Sequence, residues 1–226
     1  MAEHTPLPDR DASYLDQIER GALDLNTSIA DVLRLCVALG GRAKSQHLRD
    51  WALKELNGYE LDDELPPYRI VNASLYMDNT NRAGLNRIPQ QIAPAMLPKE
   101  VRADIGEEMH LRQKIVVLEA EARKAQAQDE HLTYTFSQSA MVANLMTTRG
   151  WEKGEIPQRQ MVSAIYWRVS PAELLGVVDH VRTVLTQLVA ELVATMPTGQ
   201  EVPSAAQADR AVNIVVNGGD GHQFVL

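Results

Sequence analysis

Residues 170–195 read SPAELLGVVDHVRTVLTQLVAELVAT, and this stretch sets the fold class of the chain. Ser170 and Glu173 have the spacing of a capping box, in which a hydroxyl and an acid three residues later satisfy free amides of a first helical turn. Pro171 sits at the first helical position, where its fixed φ suits a helix and its missing N–H is no loss. Leu174, Val178, Val181, Leu185, Leu188 and Leu192 then follow in steps of four and three. That spacing predicts one long amphipathic helix with a seam of about three heptads, the lower edge of what a coiled coil needs. The seam has two uses: it packs inside the chain, the favoured reading, or it is shared between copies as a self-association surface.

Upstream, Met161, Ser163, Ile165, Trp167 and Val169 alternate as a strand does. Gly150, Gly154 and Pro157 bound an expected loop around Trp151, and residues 137–148 suit a helix. Leu132, Tyr134 and Phe136 mark another strand. A long helix is expected from Lys99 to Gln128, striped by Val101, Ile105 and Met109, then by Leu111, Ile115, Leu118, Ala122 and Ala125. Its stripe shifts near His110, as at a kink or a change of partner. Tyr68 to Met77 alternates as a strand, whereas Asp78 to Arg87 is polar and reads as loop.

The N-terminal part predicts three helices. The first spans Ser13 to Leu25. The second, Ile29 to Leu39, is apolar nearly all round and therefore buried, with Ser28 and Asp31 as its capping box and Gly40-Gly41 as its end. The third runs from Lys44 to Asn57, with Trp51 on its inner face beside Leu48, and stops at Gly58. Downstream, Pro197, Gly199 and Pro203 mark a linker over 197–210. The end, 211–226, is β-prone: Val212 to Val216, an Asn217-Gly218 turn, then Phe224 to Leu226. A lone hairpin is marginal in water. This one is expected to pair with other copies, burying Ile214, Val216 and Phe224. The resulting expectation is an α+β chain, predominantly α-helical: a helical bundle with a small antiparallel sheet and a C-terminal β-hairpin or strand extension. Its parts are a disordered lead over 1–11, a main domain over 12–196, the linker, and the β-prone segment.

Composition narrows the function classes. Of 226 residues, 45% are hydrophobic and 23% charged, so a core forms without disulfide or metal. The net charge of −8 argues against a whole-surface nucleic-acid binder, which needs clustered Lys and Arg. One cysteine, Cys36, fits a reducing cytoplasm and lies within the most apolar helix as a small core residue. No apolar run reaches the roughly 18 residues of a membrane span.

The segment Ser28 to Val71 carries a recognisable pattern. It contains Ala30-Asp31-Val32-Leu33-Arg34-Leu35-Cys36, then Trp51, Glu55-Leu56-Asn57-Gly58-Tyr59, Leu65-Pro66 and Tyr68-Arg69. This resembles the AbiTii family of bacterial abortive-infection proteins. Ile88-Pro89, Leu97 to Arg102, Val169-Ser170 and Val178 to Arg182 extend the likeness over most of residues 12–195, with His180 as a departure from its more apolar pattern. The resemblance implies a role in anti-phage defence and hands over no catalytic residue.

Searched directly, the sequence has no Gly-x-Ser-x-Gly or P-loop signature, and its six histidines are scattered. No catalytic, cofactor or metal residues are therefore assigned, and no cofactor is expected. The polar block Glu55, Asn57, Tyr59, Tyr68 and Arg69 has two readings. It gathers a carboxylate, an amide and a guanidinium that suit a small polar ligand, or it is a hydrogen-bonded knot fixing the turn after Gly58. The knot is favoured, since structural networks gather such residues too. Arg34 and Arg182 are read in the same way, as residues with partners inside the fold. The expected function is a self-associating interaction or effector module of phage defence without catalysis. Its expected partners are copies of itself and a phage or host protein trigger. The alternative is a toxin-type enzyme, a nuclease or nucleotide-acting effector with an atypical site.

Overall fold

The computed structural model describes residues 13–81, 87–102, 105–216 and 218. The chain is α+β and mainly helical, with small antiparallel sheets, as expected. It divides into two compact units: Met1–Pro66, Arg112–Val117 and Val178–Leu226 in the first, Pro67–Leu111 and Leu118–Val177 in the second. The expected lead over 1–11, Asn217 and the Phe224 strand lie outside the described residues.

In the first unit, α1 (Tyr14–Leu23), α2 (Ile29–Ala43) and α3 (Gln46–Asn57) pack in sequence. α1 is capped by a box that the sequence reading passed over: Ser13 accepts from the Asp16 amide, and Asp16 accepts from the Ser13 amide. Ser28, expected to cap α2, makes no side-chain cap bond. α2 also runs past Gly40-Gly41 to Ala43 and ends where Lys44 takes a left-handed backbone, φ 56°. Its inner face, including Ile29, Leu33, Cys36 and Leu39, is fully buried. Burial pushes the Cys36 thiol far above its ordinary pKa, so it is an inert core group. Trp51 is buried at 5% exposure, on the inner face of α3 as its spacing required.

The end of the chain corrects the sequence reading. Residues 205–216, expected as the end of a linker and a β-strand, form helix α7 (Ala205–Val216), which packs on α3 and α2. Two forces override the β-propensity of its valines. Ser204 and Gln207 form a capping box, with the Ser204 amide on Gln207 Oε1 (2.8 Å) and the Gln207 amide on Ser204 Oγ (3.3 Å). Ala208, Ala211, Val212 and Val216 then fall on one buried face at helical spacing, and the two alanines allow close approach.

In the second unit a four-stranded antiparallel sheet has the order β3-β2-β6-β5, built from β2 (Ser74–Asn81), β3 (Ile88–Gln91), β5 (Leu132–Tyr134) and β6 (Gln160–Val169). β1 (Ile70–Asn72) and β4 (Glu108–His110) form a separate pair. β2 continues through Asp78, so residues 78–81 are strand, not loop. A register shift falls between Asp78 and Asn79. Beside this irregularity Met77 and Asp78 are buried in succession, a break in the strand alternation of the kind a bulge produces. α5 (Ser139–Lys153) packs on β6 and includes Trp151, which was expected in a loop. Gly150 makes this continuation fit, since a Cβ there would lie 2.5 Å from Ile156 Cδ1. Two α5 hydroxyls hold β6: Thr147 Oγ1 accepts from the Val162 amide at 2.8 Å, and Ser139 Oγ accepts from the Ile165 amide at 3.3 Å.

The helix expected from Lys99 begins only at Ile115: α4 is Ile115–Gln128. Residues 98–102 instead make a short turn, with the Val101 and Arg102 amides on Pro98 O, and the Ile105 amide donates to Val101 O. Consecutive turns mimic helical spacing while sending Val101 and Ile105 into the core with Leu75, Leu97, Val142 and Ile165. The stripe shift near His110 marks strand β4, not a kink.

The long helix α6 (Pro171–Thr195) matches its expectation closely. The Glu173 amide donates to Ser170 Oγ at 3.3 Å. All six seam residues, Leu174, Val178, Val181, Leu185, Leu188 and Leu192, are buried within the single chain. No described helix is long and apolar enough to cross a membrane.

Candidate functional site

The polar block begins at the last turn of α3. Gly58 ends the helix at φ 91°, and a Cβ there would stand 2.8 Å from Arg112 O. That conformation turns Tyr59 back over the helix, where its hydroxyl donates to Glu55 Oε1 at 2.7 Å. Glu55 is completely buried and Tyr59 nearly so. The Tyr59 amide donates to Arg112 O at 2.8 Å. The Arg112 guanidinium in turn donates to the carbonyls of Glu60 and Asp63. Lys54 closes the turn with a 2.7 Å ion pair to Asp63, and its hydrogen bond is the main reason the Asp63 carboxyl lies below its ordinary pKa. Asn57 is exposed.

Tyr68 and Arg69 fall in the second unit, Tyr68 half-buried and Arg69 fully buried. Arg69 Nη1 donates to Leu111 O at 3.2 Å, and the Leu111 amide donates back to Arg69 O at 2.8 Å, extending the β1–β4 pairing by one step. Of the five residues, Glu55 and Tyr59 are thus joined by a hydrogen bond, and Arg69 is fastened to the sheet's own backbone.

The two other arginines singled out from the sequence divide. Arg34 makes a surface ion pair with Asp31, both side chains well exposed. Arg182 is buried and donates to three carbonyls, those of Gly21 (3.2 Å), Asp24 (3.2 Å) and Thr27 (2.7 Å), so α6 gathers the loop after α1. Three carbonyls gathered in this way accept from both terminal nitrogens of the guanidinium, and the Asp24 carboxylate adds a nearby opposite charge.

Sequence reasoning missed a constellation on β2 and β6. Asp78, 1% exposed, accepts from the Tyr166 hydroxyl at 2.9 Å and pairs with Arg87. Desolvation first, then the bond to Asp78, raises the Tyr166 pKa. Tyr166 stacks on Tyr76 at 6.2 Å, and the Arg168 guanidinium lies 5.2 Å from the Tyr76 ring centre. The signal lay in the alternation Tyr76, Asp78, Thr80, which continues the strand period past Met77.

The second unit also holds a cleft of about 700 Å³, bounded by β2, β3, the turns after Ala95, α5 and the start of β6. Among the described residues, no three His, Cys, Asp or Glu side chains are grouped so as to hold a metal ion.

Fold and sequence together place this chain among mostly helical α+β proteins with small antiparallel sheets. A family model, AbiTii, matches residues 13–217, and the chain belongs to that family. Membership makes it a component of abortive-infection phage defence. No curated protein and no solved structure matches the chain.

Proposed function

We propose that this AbiTii protein is a self-associating interaction or effector module of abortive infection that works without substrate turnover. The observation that carries the reading is the use made of the buried ionic groups. Arg182 spends its donors on three carbonyls, Arg69 on Leu111, and Glu55 receives Tyr59. The two arginines hold backbone and Glu55 holds a neighbouring side chain, and charged groups committed in this way are poor acids, bases or ligands. The partners in this reading are further copies of the chain and a phage or host protein trigger, met in the cytoplasm where a lone buried thiol stays reduced.

The self-association surface moves in consequence of the fold. The α6 seam and Val216 are buried in the chain's interior, whereas Ile214 on the outer side of α7 is 39% exposed and Val193, late in α6, is 60% exposed. Both belong to the first unit. The interface we propose is the outer side of α7 around Ile214, supported by its exposure. Light scattering and phage plating on Ile214→Glu and on a chain ending at Val216 test this. Smaller mass with lost protection and unchanged helical signal is expected. Unchanged mass and unchanged protection in both variants would refute it.

A further inference from the structure

The cleft of the second unit has a charge that opposes that of the chain. Four cations line it, Lys99, Arg102, Arg149 and Lys153, against two acids, Glu100 and Glu155. The chain as a whole carries −8. A local positive excess on an acidic protein concentrates anions at one place.

The cations are not equivalent. Arg102 donates to the carbonyls of Ala95 and Leu97 and so shapes the wall. Arg149 is gripped by Glu100 through two bonds of 2.8 and 3.1 Å, which fixes its planar fork while leaving other N–H groups available. Lys153 is exposed and meets Glu155 only at 3.9 Å. Lys99 is exposed and forms no ion pair with a described residue. Two ammonium groups and one held guanidinium edge are thus disposed around one opening.

The remaining lining is of two kinds. Met77, Met96 and Met146, with Ile156, supply soft apolar surface. Thioethers pack well on flat π-systems. Asn79 donates to Gln90 Oε1 at 3.1 Å, and both side chains line the cleft. This pairing leaves the Asn79 carbonyl as an acceptor beside the Gln90 amide as a donor. An adjacent donor and acceptor match the edge of a nucleobase. The volume suits one small molecule, within the several-hundred-Å³ range of ligand pockets.

We propose that this cleft is a binding site for a free nucleotide, its phosphates on Lys99, Lys153 and Arg149 and its base against the methionines and the Asn79–Gln90 amides. The site is independent of the self-association surface on α7, and the interaction module becomes one that carries a small-molecule input.

The test is equilibrium titration of the full chain with ATP, GTP, CTP and UTP, alongside inorganic triphosphate and a single-stranded oligonucleotide. The expected result is saturable binding of at least one nucleotide, tighter than triphosphate by about tenfold or more, since the base adds its own contacts. Lys99→Glu with Lys153→Glu, both on exposed side chains, is expected to weaken it by about tenfold or more with an unchanged melting profile. A second variant, Met146→Glu, places charge where the base would lie and is expected to remove the preference for nucleotide over triphosphate. No binding of any nucleotide overturns the proposal. Binding undiminished in the double variant, triphosphate bound as tightly as every nucleotide, or the oligonucleotide bound in preference to all of them overturns it equally.

Discussion

The hydroxyl of Ser45 donates to Asp209 Oδ1 at 2.5 Å, joining residues 164 positions apart. Ser45 is fully buried, and the same oxygen accepts from the Leu48 amide at 3.1 Å, so one side chain caps α3 and anchors α7. Both groups lie in the first unit. The C-terminal helix is therefore tied to the start of α3 by a charge-assisted bond, beyond what its apolar face supplies.

Ser45→Ala removes the cap of α3 and the bond to Asp209, so it is expected to lower stability by about 1–2 kcal/mol. Urea unfolding reads this directly. Asp209→Ala should have the smaller effect, because the Ser45 oxygen keeps its bond from Leu48. Equal stability of the Ser45 variant and the parent would show that the link contributes nothing.

Trp51→Ala empties a site that is 5% exposed within the α2–α3 packing. A loss of roughly 3–5 kcal/mol is expected, the usual scale for deleting a buried aromatic side chain. The check is a denaturant midpoint, and a midpoint that does not move contradicts the placement.

Leu185 is completely buried at the centre of the α6 seam. Leu185→Glu is expected to abolish cooperative folding, because an unpaired carboxylate in that position has no counter-charge to offset its desolvation. A soluble, folded monomer from this variant, read by light scattering and circular dichroism, would return the seam to the role of an interface between copies.

Glu100 is held at a pKa of about 2, chiefly by its hydrogen bonds from Arg149. Its ordinary value is 4.5, so the folded-state value is depressed. The stabilising contribution of a depressed carboxylate is complete above the unfolded value and is lost as pH falls from about 4.5 towards 2. Both partners are solvent-exposed, so the effect on stability is small and screened by salt. The carboxyl carbon shift of Glu100 should titrate near 2 and return towards its ordinary value in Arg149→Ala. A titration near 4.5 in the parent protein would contradict the pairing.

What the sequence made legible, and what it hid, follows from the range of the interactions. α6 was readable because its cap and its seam are local and agree with each other. The stop at Gly58 was readable because a left-handed backbone favours glycine. α7 was misread because Val212, Ile214, Val215 and Val216 have β propensity, while its helix rests on burial of Ala208 and Ala211 against distant helices. The Ser204–Gln207 box was the local clue. The helix expected from Lys99 failed because turns around Val101 and Ile105 reproduce helical spacing over two steps. For the candidate sites, Glu55 and Tyr59 could be foreseen as neighbours, four residues apart across a helix end. The cleft could not, since its lining comes from separate segments between Met77 and Gln160 that meet only through the sheet topology.

The central claim is that the buried polar groups of the family segment hold the fold and are not a ligand site. Arg69→Lys tests it most directly, because lysine keeps the charge and loses the planar fork. Melting temperature and phage plating are measured together on this one variant, with protein abundance as the control. The account predicts a lowered melting temperature, with protection falling only as far as folded protein does. An unchanged melting temperature with protection abolished would contradict it and make Arg69 part of a functional site.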